Sequence, residues 1–334
     1  MDKTTLECEA ENLTADNSAL SGLRSGTQPT NRAIAEVFAP GDKFACYLEY
    51  AISPATHNAI RSDLKQFYQW GGTIPATPVT IATYLADHAT SLSIATLKRR
   101  LSSISQAHLS AGHKSPTADP LVRRTMQGIR RIHGKPQKQA KPLAVTEIAT
   151  IVRAIPRDLT GQRDRALILL GFAGALRRSE LVGLDVRDLA FTAAGIRIVI
   201  RRSKTDPYGE GRIVDVPASD ELTCPVAAVR GWLEGAAIFK GPLFRSIDRH
   251  GNLGSSALTG HAVANILKRR AEAVGIDPKS ISGHSLRAGY ATSAAIAGHT
   301  AWAIRQQTGH RSDEMVARYV RLAGNEEQAR PPLL

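Results

Sequence analysis

The sequence predicts two domains: an all-α N-terminal domain, then a mixed α+β domain that is mostly helical and carries a small β-sheet or hairpin. Three observations lead there. Apolar residues recur at helical spacing through much of residues 39–133. The stretch "HGKPQKQAKPLA" then interrupts every pattern with two prolines, a glycine and three lysines. Beyond it, "GIRIVIRRSKTD" alternates with a period of two and "RIVDVP" returns after "PYGEG", a hairpin signal. A chain of 334 residues, 43% of them hydrophobic, is long enough to bury a core in each half.

In chain order, residues 1–38 are rich in Ser, Thr, Asn and Glu without sustained periodicity, and are expected to be a disordered acidic lead-in. Residues 39–133 form the helical domain. Within "SPATHNAIRSDLKQFYQWGG", Ile60, Leu64, Phe67 and Tyr68 share a stripe that Gly71-Gly72 ends. "TPVTIATYLADHA", "SIATLKRRLSSISQAHLSAG" and "PLVRRTMQGIRRIHG" read as further helices. Residues 134–144 are an extended basic linker. The second domain, 145–322, opens with a helix at "TEIATIVRAIP" and another at "GQRDRALILLGFAGALRRSELVGL". After the hairpin, "CPVAAVRGWLEGA" puts Pro225 where a first helical turn tolerates it. Three or four helices follow, and residues 323–334 are a short tail.

The net charge of +13 is unevenly placed, because residues 1–30 hold five acids (Asp2, Glu7, Glu9, Glu11, Asp16) against two bases (Lys3, Arg24). The excess therefore lies in the body of the chain. It favours a polyanion, with nucleic acid ahead of a membrane surface because no basic amphipathic anchor is visible. A charge run is usually a solvated face, yet Lys98, Arg99 and Arg100, and then Arg123, Arg124, Arg130 and Arg131, sit on short helices whose other faces are apolar. Two such runs in one small helical unit suit phosphate contacts, and Lys135, Lys138, Lys141, Arg201 and Arg202 add to the set. No run reaches membrane-span length, and "MDKTTLECEAENL" lacks the order of a secretory signal, so a cytoplasmic protein is expected. Cys8, Cys46 and Cys224 are odd in number and far apart, which suits neither a disulfide framework nor a zinc pattern. The absence of a Walker-type phosphate loop argues against an NTP-driven motor.

Few residues carry chemistry. His284 and Arg287 in "SGHSLRAGYA" are three apart, and project to one side of a helical turn. In "GALRRSELVGL", Arg177 has the same spacing to Glu180, which lets a carboxylate orient a guanidinium, although Arg178 is an equal candidate for the inward position. Lys204 stands at the hairpin tip. In "TGHRSDEMVARYVR", His310 precedes a short helix capped by Ser312 or Asp313 that can bury Met315, Val316, Tyr319 and Val320. Tyr319 is thus either core filler or a residue kept for its hydroxyl. Two arginines, a lysine, two histidines and a tyrosine, with one buttressing acid and no paired carboxylates, fit phosphoryl transfer by fixed charge rather than by metal. No metal or other cofactor is expected.

In succession, "GALRRSELVGL", "RRSKTD", "GHSLRAGYA" and "TGHRSDEMVARYVR" closely resemble the tyrosine recombinases, integrase-type site-specific DNA strand-exchange enzymes that include Cre and the Xer proteins. The resemblance spans residues 48–322 and departs from the family pattern at no catalytic position. It implies that Arg177 is the first catalytic arginine, Glu180 its acidic companion and Lys204 the hairpin lysine. His284 and Arg287 match the His-x-x-Arg pair, His310 the histidine that some members replace with tryptophan, and Tyr319 the nucleophile. The implied architecture is a C-shaped clamp on DNA, its first arm a SAM-like core-binding domain. Four protomers would exchange strands on two paired sites through a Holliday junction. Rival readings are a type IB topoisomerase and a DNA-binding regulator.

Overall fold

The computed structural model describes residues 51–135, 140–201, 203, 206, 209–219, 222–317 and 319. The acidic lead-in, the tail, Lys138, Arg202 and Lys204 lie outside them. The chain divides into two compact units, Met1–Gln137 and Lys138–Leu334.

Among its described residues the first unit holds four α-helices: α1 (Pro54–Trp70), α2 (Pro78–Asp87), α3 (Ile94–Ser110) and α4 (Pro120–His133). Each start is written in the sequence. Ser53, Thr77, Ser93 and Asp119 accept backbone N–H bonds as N-caps, and Pro54, Pro78 and Pro120 fill first-turn positions that need no amide hydrogen. Gly71 stops α1 in the left-handed region (φ 106°). Phe67, Tyr84, Leu97, Ile104, Val122 and Met126 build the core. Ile60 and Leu64 are half-buried, Leu64 against the core around Phe67, but Tyr68 faces solvent and Asp63 takes the inward position instead. Asp63 is buried because Arg99 Nη2 (2.8 Å) and Ser103 Oγ (2.9 Å) donate to its carboxylate.

The second unit packs helices around a small sheet. Its elements are α5 (Val145–Ala154), α6 (Leu159–Ala173), α7 (Arg178–Val182), β1 (Leu189–Phe191), β2 (Gly195–Ile200), β3 (Arg212–Pro217), α8 (Pro225–Gly235), β4 (Arg245–Ile247), β5 (Leu253–Ala257), α9 (Gly260–Glu272), α10 (Ser285–Ile296) and α11 (Ala301–Thr308). Residues 313–317 and 319 are helical as well. Strands β1, β2 and β3 form an antiparallel sheet in that order, with Ile196 opposite Val216, Ile198 opposite Val214 and Ile200 opposite Arg212. The expected hairpin is there, and a second one, β4–β5, forms a separate two-stranded sheet. Helix α6 is apolar all round from Ala166 to Leu170, all buried, so other elements must surround it. Trp232 of α8 is fully buried and satisfies its indole N–H on the Leu243 carbonyl (2.8 Å).

Three details differ from the expected elements. The helix read across residues 161–184 is two helices, because Ala175 takes a left-handed φ of 47° and turns the chain between α6 and α7. Toward the end, Val316 is fully buried against Ala291, Ala294 and Ile304, whereas Met315 is 44% exposed. Leu143, placed by the sequence in the linker, is fully buried in the core of the second unit, and the Lys141 amide donates to the Ser280 carbonyl (3.0 Å). No helix among the described residues is long and apolar enough to cross a membrane.

Candidate active site

The break at Ala175 decides which arginine faces inward. Arg177 becomes the N-cap of α7 with an extended backbone (φ −69°, ψ 151°), and Glu180 becomes the third residue of that helix. Glu180 then folds back onto its partner. One carboxylate oxygen accepts the Arg177 amide (2.9 Å) and the other accepts Arg177 Nη1 (2.6 Å), so Glu180 alone caps the helix start and holds the guanidinium. Arg177 Nη2 donates to the Gly309 carbonyl (2.9 Å). Arg178 is exposed and turns toward the Gly260 carbonyl (3.5 Å).

Arg212, the first residue of β3, supplies a second guanidinium that sequence reasoning passed over. Its Nη2 donates to Glu180 (3.0 Å) and its Nη1 to the Gln307 carbonyl at the end of α11 (2.7 Å). A signal was present, since Arg212 lies in register with Val214 and Val216 and so falls on the inward face of the strand. Gly309 (φ 62°) closes the same corner, where a Cβ would stand 2.9 Å from Arg212 Nε.

Helix α10 brings in the His-x-x-Arg pair. His284 is its N-cap and Arg287 sits one turn on, only 1% exposed. The Ala175 carbonyl accepts Arg287 Nη1 (2.9 Å), so the left-handed residue also fixes the second arginine. Arg287 Nε and Nη2 are buried without a partner among the described residues. Such donors are costly unless an anion arrives to use them. Across the site, the Tyr319 hydroxyl lies 3.0 Å from His284 Nε2, and its ring centroid is 5.7 Å from that of His310. Tyr319 therefore both touches the small cluster around Val316 and presents its hydroxyl to the site.

The electrostatics follow from packing cations in a half-dry corner. Burial, then the charge of Arg177, pulls the Arg287 guanidinium down to about 9, still protonated at neutral pH. Burial and the guanidinium groups of Arg287, Arg177 and Arg178 lower His284, which keeps one side open to solvent, so it is neutral and able to accept the Tyr319 proton. Burial likewise pulls His310 down to about 3, helped by Arg287 and Arg177. Burial alone would raise the Glu180 carboxyl, but the Arg177 amide bond and the charges of Arg212 and Arg177 outweigh it and hold it below its ordinary range. The site is a pocket of positive charge with one acid to anchor it, poised for an anion that develops further negative charge.

Residues 141–326 match the phage integrase family. The chain belongs to that family. A relative described as an integrase/recombinase XerD homolog of Selenomonas ruminantium is 39% identical over 266 residues, covering 78% of this chain and 78% of that protein. A lambda integrase dimer bound to a COC′ core site superposes with a TM-score of 0.59 at 18% identity, over 85% of this chain and 94% of that one. XerH recombinase in a post-cleavage complex with a palindromic difH substrate gives 0.60 at 18% identity, over 85% of this chain and 81% of that one. At such identity the likeness to both structures is one of fold. The phage integrase family to which the chain belongs is that of the tyrosine recombinases, site-specific DNA strand-exchange enzymes.

Arg177, Glu180, His284, Arg287, His310 and Tyr319 of this tyrosine recombinase are thus gathered by α7, α10 and the segment after α11. Lys204 belongs to the connection between β2 and β3 and lies outside the described residues. Among the residues expected to bind DNA, Lys98, Arg99, Arg123, Arg124, Arg130, Arg131, Lys135 and Lys141 are exposed. Arg100 is a correction: it is buried with its Nη1 on the Tyr84 hydroxyl (2.6 Å), a core tie rather than a phosphate ligand. Arg201 is half-exposed but pairs with the buried Asp188 (2.5 Å), and Lys141 pairs with Glu147 (2.6 Å). Among the described residues no group of three or more His, Cys, Asp or Glu could hold a metal ion.

Proposed function

We propose that this recombinase cuts and rejoins DNA through a 3′-phosphotyrosine on Tyr319 and a Holliday junction, with fixed protein charges taking the part of a metal and no ATP consumed. The observation that carries the reading is the Tyr319 hydroxyl 3.0 Å from neutral His284, beside a buried arginine with two unspent donors. Tyr319 Oη bonds to phosphorus as the bond to the 5′ oxygen breaks. The hydroxyl proton passes to His284, and the departing 5′ oxygen takes a proton from Lys204. Arg177 and Arg287 meet the non-bridging oxygens, with Glu180 orienting Arg177 and His310 completing the shell. A free 5′ hydroxyl then attacks the phosphotyrosine and reseals, so the energy of the broken bond is retained.

In this reading residues 39–133 are a SAM-like core-binding domain, 134–144 a linker and 145–322 the catalytic domain. Lys98, Arg99, Arg123, Arg124, Arg130, Arg131, Lys135, Lys138 and Arg202 contribute backbone contacts to duplex DNA. Four copies assemble on two paired sites in the cytoplasm, and residues 323–334 dock on a neighbouring copy.

Tyr319→Phe tests the nucleophile. It should bind duplex DNA as the parent does and form no covalent complex on a denaturing gel; a persisting covalent band overturns the assignment. Pairing the assay with plasmid relaxation and two-site recombination separates strand exchange from simple topoisomerase action. The general acid is tested with a substrate whose bridging 5′ oxygen is sulfur, a leaving group that needs no proton. Lys204→Ala should lose about 10²- to 10⁴-fold on ordinary DNA and recover on the sulfur substrate. Rescue of His284→Ala instead would assign that proton to the histidine.

A further inference from the structure

Thr308, the last residue of α11, is fully buried although it is polar. Its hydroxyl oxygen lies 2.6 Å from the Ile304 carbonyl, 3.4 Å from the Arg305 carbonyl and 2.7 Å from His310 Nδ1. A hydroxyl carries one proton, and a carbonyl oxygen can only accept. The 2.6 Å contact therefore takes that proton, because two oxygen lone pairs at this distance would repel. The bond to the ring then runs the other way, with His310 Nδ1–H donating to Thr308. An imidazole with its proton on Nδ1 offers only a lone pair at Nε2 while it is neutral, and can donate from Nε2 only as the cation.

The surroundings set when that cation forms. Arg287 and His284 face His310 from α10, Arg177 from α7 and Arg212 from β3, with Glu180 tied to the last two and Tyr319 across the site. Without an anion these charges keep His310 neutral. A phosphodiester placed among the same guanidiniums cancels part of their repulsion and sets an anionic oxygen where a lone pair would be repelled and an N–H welcomed.

We propose that Thr308 is a positioning residue that locks His310 in the Nδ1–H tautomer, and that seating the scissile phosphate is thereby coupled to uptake of a proton at His310 Nε2. The second half rests on the reading of the site as a phosphodiester-cleaving one, whereas the lock does not. In this recombinase His310 is a ligand that becomes a donor only after the substrate has arrived. Valine in place of Thr308 keeps the shape and removes the hydroxyl, so the neutral ring can hold its proton on either nitrogen and donate without taking up another.

Two measurements test this on the full chain. The first is nitrogen NMR of labelled histidine rings at neutral pH, with His310→Gln to assign the signals. The wild type and Thr308→Ser should show His310 protonated at Nδ1, and Thr308→Val should shift the population toward Nε2. A wild-type ring protonated at Nε2 overturns the lock. The second is calorimetry in buffers of different ionisation enthalpy, in a Tyr319→Phe background, binding a duplex selected by this protein from a random pool. Proton uptake should be smaller for Thr308→Val than for the parent and unchanged for Thr308→Ser. Equal uptake in all three overturns the coupling. Failure of the functional reading would appear separately, as wild-type protein that forms no covalent complex on the same duplex.

Discussion

Two buried carboxylates in the second unit are each surrounded by arginines, and they do different things. Asp164 on α6 accepts from Arg163 Nε and Nη2 (3.0 and 2.7 Å), Arg269 Nη2 (3.2 Å) and Arg270 Nε (2.8 Å). Glu180 accepts from Arg177 and Arg212, with Arg287 beyond them. Around Asp164 the surplus charge drains to solvent, because Arg269 is 59% exposed and no buried donor of its three arginines is left over among the described residues. Around Glu180 the side chains of Arg177 and Arg212 are only 16% and 19% exposed, and buried donors of Arg212 and Arg287 have no partner among the described residues. Residue content does not separate these two clusters; the buried donors left over around Glu180, and absent around Asp164 among the described residues, do.

The largest effect that could break this comparison is on stability. Asp164→Ala leaves Arg163 and Arg270 buried without their acid and should cost about 3–5 kcal/mol in urea unfolding. A loss below about 1 kcal/mol would mean that the junction is no tighter than a surface ion pair. Next comes catalysis. Arg287→Ala should lower single-turnover cleavage by about 10²- to 10³-fold, whereas Arg269→Ala, on the other cluster, should leave the rate per folded molecule unchanged. Similar rate losses from both would erase the distinction. The smallest effect is acid sensitivity. His310 has a folded value near 3 against an ordinary one near 6.5, so the unfolded chain binds more protons between them. The stability this group contributes is complete above pH about 6.5 and is lost as pH falls toward 3. His310→Gln should flatten the decline of the urea midpoint between pH 6.5 and 4. An unchanged slope would show that the ring titrates normally.

Much of this was legible because caps and periods are local. The apolar spacing of Ile60, Leu64 and Phe67 with the Gly71-Gly72 stop announced the first helix, and the alternation of Ile196, Ile198 and Ile200 announced the sheet. The seven positions proposed as catalytic came from motif order, and six of them lie among the described residues. What escaped was settled by tertiary packing. The continuous pattern of "GFAGALRRSEL" reads as helix because alanine rarely takes a positive φ, yet the Arg287 bond to the Ala175 carbonyl stabilises the turn there. Arg100 sits in a basic run like any surface arginine, and the buried Tyr84 hydroxyl and the Asp63 carboxylate draw it inward. Met315 and Val316 are adjacent and equally apolar, so the choice between them depends on where Ala291 and Ile304 lie.

Helix α6 carries a consequence for motion. It contributes one continuous buried run to the main core, and the Ala175 turn that fixes both arginines hangs from its end. Its amides should exchange with solvent only when the whole unit opens. Arg177 and Arg287 are therefore expected to be held by the slowest-opening part of the unit. Val316 and Tyr319 belong instead to a separate, smaller cluster with Ala291, Ala294 and Ile304. The two arginines are thus expected to open on the timescale of global unfolding, and Tyr319, the proposed nucleophile, with the smaller patch. Hydrogen exchange should resolve these as two protection classes inside a single active site.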